Sequence, residues 1–338
     1  MRRRRLAELF RSLNLPRDTG ALNAVRLFPT SRYRIARDES DNALVLFELE
    51  KSHPESSQLG PIRLRHFEYE PQLSATVLDI GTLKPQTSNF LVLRCREADA
   101  DLQAQFLELV EGLVEYLGEQ PSPNEVDEAV RDLVELFRSM SGPSRRTISG
   151  LWAELLVLLD AADCEIAGAA WHSDPNEQHD FVVGNEQVEV KSTTAAVREH
   201  EVTLSQLSVP TGGIGFMVSV MLEPHDAGAS TNDLLAEALT RLSARGEQRR
   251  RLRAIVAATI GEDWREADQV RFNISRARSS RLVYDMSAIP TVDPRVPPQV
   301  SSVRFVVDLS DTVSLEPDVA ARRGVLPAAL FGRWSHAV

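Results

Sequence analysis

The sequence predicts a mixed α/β protein, and three observations carry that prediction. Between residues 147 and 222 the pattern reads helix, strand, strand, strand, short helix, strand. Upstream, β-like runs broken by Pro, Gly and Ser precede two acidic amphipathic helices. Downstream, an Arg-rich helical stretch gives way to strands again. Three domains are expected: a β-rich and helical part over residues 1–142, a core over 143–262, and a C-terminal, strand-rich α+β extension over 263–338 packed on that core.

A short N-terminal helix leads into the β-like runs NALVLFELE, ATVLDIG and NFLVLRCRE. Residues 98–118 and 123–140 read as helices around the breaker Gln120-Pro121-Ser122-Pro123. In the first, Phe106, Leu107, Val110, Leu113, Val114 and Leu117 recur at helical spacing. Ser141-Gly142-Pro143-Ser144 reads as a linker. A helix then starts near Thr147, with Ile148, Leu151, Trp152, Leu155, Leu156 and Leu159 on one stripe. A strand near 165–171, a polar loop from His172 to His179 and a hairpin come next. Beyond them lie a polar loop, a turn of helix near 203–208 and the apolar strand GIGFMVSVML. Residues 231–260 read as helical, and SRLVYDMSA and VRFVVDLS are the clearest strands of the tail.

Composition narrows the classes of function. No apolar run approaches the roughly 18 residues of a membrane span. The start, MRRRRLAELFRSLNL, is amphipathic after its basic head and is not read as a signal peptide. Two cysteines, Cys95 and Cys164, supply neither a disulfide framework nor metal spacing, and suit a reducing cytoplasm. The formal net charge is −11. Between Glu97 and Glu135 stand 12 acidic residues and one basic, so the rest of the chain is neutral overall. From Arg241 to Arg281 there are 11 arginines against five acids, a footprint suited to phosphate or to solvated helix faces. Only three of the 38 basic residues are lysines, which makes Lys191 stand out chemically: an ammonium is a compact point charge, a guanidinium a planar fork.

The stretch HDFVVGNEQVEVKS, residues 179–192, alternates apolar and polar residues on both sides of Gly184-Asn185. A two-residue hairpin there opposes Phe181 to Val188 and Asp180 to Glu189. Phe181, Val183, Val188 and Val190 then share one face, and Asp180, Gln187, Glu189 and Lys191 the other. Directly opposed like charges destabilise a sheet. A divalent cation between the carboxylates would compensate them, since hard cations take oxygen ligands. The plainer alternatives are a strand-start cap at Asp180 and an exposed Glu189–Lys191 pair.

At these residues the chain resembles the PD-(D/E)XK nucleases, the restriction-endonuclease-like superfamily. The match is Asp180, then Glu189-Val190-Lys191 on the next strand, preceded by a helix carrying Glu154 in GLWAELL. No proline precedes Asp180; His179 does. The resemblance spans roughly residues 145–222 and implies an αβββαβ core. It implies that Asp180, Glu189 and the Val190 carbonyl bind Mg²⁺ (or Mn²⁺ in its place), that Lys191 orients the attacking water, and that Glu154 lies beside the metal. By itself, Glu154 sits about 130° around its helix from the apolar stripe, at roughly 100° per residue, and fits a solvated face equally well.

Of the histidines near this stretch, His200 lies on the segment after the E-x-K strand and is the auxiliary candidate. Gln206 faces two readings: a site-facing amide, or a polar helix-start residue with Thr203 as N-cap. Arg145, Arg146, Arg249, Arg250, Arg251 and Arg253 are the candidate DNA contacts. No P-loop, nucleophilic serine elbow or Cys–His pair is present. The resemblance implies a Mg²⁺-dependent DNA endonuclease of the cytoplasm, a subunit of a bacterial restriction or anti-phage system working with DNA, with other defence proteins and as a homodimer. The alternative is a non-catalytic adaptor that keeps the nuclease fold, motivated by acidic helices suited to a basic partner.

Overall fold

In a computed structural model of the chain, the residues described are 6–17, 20–27, 31–49, 59–79, 84–118, 121–140, 147–171, 178–242, 246–261, 264–292, 295, 297, 299–300 and 302–334. The chain divides into two compact units, residues 1–142 with 245–254, and residues 143–244 with 255–338.

The first unit holds α1 (Leu6–Arg11), β1 (Ala21–Arg26), β2 (Tyr33–Arg37), β3 (Ala43–Glu48), β4 (Ile62–Arg63), β5 (Phe67–Asp79), β6 (Lys84–Cys95), α2 (Ala100–Leu117) and α3 (Pro123–Met140). The strands run in the order β1-β2-β3-β6-β5-β4, and a parallel β1–β5 pairing closes the first five into a ring. Strand alternation sends Leu22, Ala24, Ala36, Leu44, Leu46, Ala75, Val77, Phe90 and Val92 into one cluster. The opposite face meets the helices, where Phe67 stacks on Phe137 of α3 at 4.9 Å and tilts against Phe106 of α2.

The second unit comprises α4 (Ile148–Leu159), α5 (Cys164–Ala170), β7 (Phe181–Val183), β8 (Glu186–Thr193), β9 (Glu199–Thr203), β10 (Ile214–Met221), β11 (Pro224–Ala229), α6 (Thr231–Arg241), the end of α7 (Gly246–Ile260) from Ile255 on, α8 (Trp264–Gln269), α9 (Ile274–Ser280), β12 (Leu282–Asp285), β13 (Arg304–Asp308), α10 (Pro317–Ala321) and α11 (Val325–Phe331). Its main sheet has the order β12-β10-β8-β7, with β8 and β10 parallel and the outer pairs antiparallel. β9 pairs with β13 as a separate ribbon. Every residue of α4 from Leu151 to Leu159 is buried, as the helix packs on β8, α5 and α6. Each large apolar side chain buried there contributes roughly 1.5–3 kcal/mol.

Three expectations change. The strand expected at 165–171 is the helix α5: CEIAGAA is an apolar run too short for periodicity to separate helix from strand. The Asp163 carboxylate decides it, accepting from the N–H groups of Glu165 and Ile166 as an N-cap. The polar stretch after Lys191 contains a strand, β9, because its partner β13 lies about a hundred residues away. The tail carries two helices, α10 and α11, besides its strands.

Candidate active site

The β7–β8 hairpin has the register the alternation predicts, Phe181 opposite Val188, Val182 opposite Gln187 and Val183 opposite Glu186. Gly184 takes φ +59°, the left-handed backbone a primed turn needs. Asp180 lies one residue before the ladder starts, and its Oδ2 accepts the Val190 N–H at 2.7 Å. The carboxylate thus takes the place in the ladder that β7 leaves. A strand residue directs its N–H and C=O to the same neighbour. The Val190 carbonyl therefore faces the edge where Asp180 sits, and Glu189 and Lys191 flank Val190 on the polar face of β8. Asp180 and Glu189 are both buried.

Glu189, Lys191 and Gln206 form a closed circuit. The Lys191 Nζ lies 3.0 Å from Glu189 Oε1. Gln206 Nε2 donates to the same oxygen at 2.5 Å, and Gln206 Oε1 accepts from Lys191 at 3.3 Å. Gln206 Oε1 also accepts the Thr203 N–H at 3.0 Å, while Thr203 Oγ1 accepts the Gln206 N–H at 3.2 Å. That reciprocal pair is a capping box across a single turn of 3₁₀ helix, Ser205–Leu207. Gln206 thus bonds both to Thr203 and to the Glu189 carboxylate, and its bonds to Thr203 aim the amide at that carboxylate.

His200 is buried on β9, with its Nε2 2.6 Å from Ser219 Oγ. Ser219 of β10 is the parallel partner of Lys191. Burial, then the cations Arg198 and Lys191, push the His200 imidazole down to about 4, so it is neutral at neutral pH. Arg198 donates to the Ser219 carbonyl and hydroxyl and to the Ser280 carbonyl at the end of α9. His179 lies with Nε2 3.0 Å from the Gln206 carbonyl, and burial lowers its pKa too. Gln187 donates to the Ser208 carbonyl. The turn over 203–208 is thereby tied to Gln187, Glu189 and Lys191 of β8 and to the residue before Asp180.

Glu154 does not face solvent: it is buried on α4, and its Oε2 accepts the indole N–H of Trp171 at 2.9 Å. Trp171 forms a backbone bridge to Phe181, the neighbour of Asp180. Sequence reasoning missed Trp171, Ser219 and Arg198; only the strand register and the packing of α4 reveal them.

The candidate DNA contacts separate into two groups. Arg145 and Arg146 lie outside the described residues, as does His172. Arg249, Arg250 and Arg253 on α7 meet the acidic helices of the first unit. Arg249 and Arg253 reach Glu115 at 3.8 and 3.6 Å, and Arg250 pairs with Asp132 and lies over the Tyr116 ring at 4.4 Å. Arg253 is buried against Gly112, where a Cβ would fall 2.8 Å from its guanidinium. Its guanidinium is thus buried beside Glu115 in this structure. Arg251 sits half-buried on the same helix.

The Glu189 carboxylate pairs with the Lys191 ammonium, the Asp180 carboxylate accepts the Val190 N–H, and neutral His200 adds no charge. Among the described residues no cluster of three or more His, Cys, Asp or Glu side chains is placed to hold a metal. Mg²⁺ does not require one, because it is commonly held by one or two carboxylates with oxygen ligands and water completing the shell. The two carboxylates and the Val190 carbonyl are hard oxygen donors that fit such an ion. Among the described residues, no helix is long and apolar enough to cross a membrane.

Comparison with known proteins places the chain in a family. No curated protein and no solved structure matches the chain. Residues 6–310 match the family described as "Putative PD-(D/E)XK family member, (DUF4420)". With β8 carrying Glu189-Val190-Lys191 and Asp180 bonded across to it, and with that match running over most of its length, the chain belongs to this family.

Proposed function

We propose that the protein is a Mg²⁺-dependent DNA endonuclease with a restriction-endonuclease-like core of α4, β7, β8, β9, the 3₁₀ turn and β10. The observation that carries this reading is the bond from Val190 N–H to Asp180, which sets both carboxylates and the Val190 carbonyl about one strand position. Asp180, Glu189 and that carbonyl would hold the ion. When bound there, it supplies Lewis-acid polarisation of the phosphodiester and a lowered water pKa. Lys191 orients the attacking water and offsets the negative charge that develops on the phosphate. Its ammonium is half-buried, which strengthens its field relative to water. Glu154, held by Trp171, supports the site from α4. His200, neutral at neutral pH, serves as a hydrogen-bonding support beside Lys191 rather than as a proton donor.

The cellular setting that suits this reading is a subunit of a restriction or anti-phage system, as the sequence resemblance implies. The adaptor alternative loses part of its motivation, because Glu115 and Asp132 already meet arginines of the same chain.

The test is plasmid nicking in Mg²⁺ or Mn²⁺ by the wild type and by Asp180→Ala, Glu189→Ala and Lys191→Ala. Each substitution is expected to cost roughly 10²–10³-fold in rate or more, the scale for losing one preorganised electrostatic group. Cutting at wild-type rate by any of the three, each shown to be folded, refutes the assignment.

A further inference from the structure

We propose that Gln206 is a positioning residue that competes with the divalent cation for Glu189, so that the turn over 203–208 acts as a latch on the site. This rests on the nuclease reading above. The argument begins with the acceptor capacity of one oxygen. A carboxylate oxygen offers about two lone-pair directions. At Glu189 Oε1 these are taken by Lys191 Nζ at 3.0 Å and Gln206 Nε2 at 2.5 Å. A cation can use that oxygen only after one of the two donors leaves.

The amide cannot be turned over to relieve the competition. Gln206 Oε1 accepts from the Thr203 N–H, and a reversed amide would set NH₂ against N–H there and oxygen against carboxylate at the other end. The capping box therefore fixes which end of Gln206 meets Glu189. The turn itself is held by the contacts of His179 to the Gln206 carbonyl and of Gln187 to the Ser208 carbonyl. With Lys191 kept in place, cation entry at Glu189 Oε1 thus requires the Gln206 side chain to swing aside, which also releases Lys191 from Gln206 Oε1 at 3.3 Å. One N–H of the ammonium is then free for a phosphate or water, while Lys191 stays beside Glu189.

The experiment is calorimetric titration of Mn²⁺ alone into the full-length wild type, Gln206→Ala, Thr203→Val and Asp180→Ala, with thermal melts to establish folding. Gln206→Ala is expected to bind Mn²⁺ about tenfold more tightly than the wild type, about 1.4 kcal/mol. Thr203→Val keeps the amide but strips the hydroxyl of its cap, and should shift affinity the same way by a smaller factor. It carries the test if Gln206→Ala fails to fold. Equal or weaker binding by the folded variants, with wild-type binding that depends on Asp180, overturns the latch and leaves the metal site standing. Absence of Asp180-dependent binding in every protein overturns the metal reading, and the latch with it.

Discussion

Acidification should expose His200 as a determinant of stability. Its imidazole is buried against Ser219 Oγ and held neutral in the fold, with a pKa of about 4 against the ordinary 6.5. Above pH 6.5 the folded and unfolded chains both carry it neutral, and its contribution to stability is complete. Below 6.5 the unfolded chain takes up a proton that the folded chain refuses. Stability therefore falls with pH through the window from 6.5 to about 4. At about 1.36 kcal/mol per pH unit the full loss is on the order of 3 kcal/mol, of which about 2 is gone by pH 5. Urea unfolding of the wild type and of His200→Gln, between pH 7.5 and pH 5, isolates this group from other acid-titrating residues. His179 is displaced in the same direction, but it is common to both proteins and cancels in the difference. The wild type should lose about 2 kcal/mol more than the variant across that interval. Parallel stability curves would refute the argument and place the imidazole in contact with solvent.

Two further expectations concern the supports of the site. Trp171→Phe keeps an aromatic ring but removes the N–H that donates to buried Glu154 at 2.9 Å and leaves a smaller side chain in a buried site, at a cost of at least about 1–3 kcal/mol in urea unfolding; an unchanged midpoint would show that Glu154 does not depend on the indole. Glu186 reaches from β8 to accept from the Val325 and Leu326 N–H groups at the start of α11, at 3.2 and 2.7 Å. Glu186→Ala should cost about 1–2 kcal/mol and speed amide exchange at those two positions, whereas exchange at the wild-type rate would mean that α11 holds its start without the carboxylate.

The hairpin was legible because it is local. Period-two alternation and Gly184-Asn185 specify its register; the expected Asp180–Glu189 pairing lies one residue beyond the ladder, and Asp180 instead accepts the Val190 N–H. Thr203-Leu204-Ser205-Gln206 likewise carries its own capping-box signature. Glu154 marks where such reasoning stops. The apolar stripe of α4 says which side must be buried, not whether a second layer covers the other side. That cover comes in part from α6, some eighty residues further along the chain. Ser219 and Arg198 gave no signal at all. Their relation to Lys191 follows from the parallel pairing of β8 with β10, a pairing between segments separated by a strand and a turn. Ala-rich α5 failed for another reason: seven residues are too few to show a period, so its one clear marker was the cap at Asp163.

Charge teaches a related point about scale. A net charge of −11 suggests a chain that repels a polyanion. Yet the acidic surplus sits between Glu97 and Glu135, and there Glu115 and Asp132 are met by Arg249, Arg250 and Arg253 within the same unit. Those arginines are likewise not a free basic surface. The acidic and basic segments that stand apart in the sequence offset each other locally, and neither describes how the site meets a substrate. On the proposed nuclease reading, that encounter is governed by the charges around Val190: two buried carboxylates and one ammonium beside a neutral imidazole. On that reading the group would repel a phosphodiester until a divalent cation offset its charge, with the screening length of about 8–10 Å at ordinary salt confining the effect to the site. Tight DNA binding should therefore require the cation, and the dependence should vanish in Asp180→Ala.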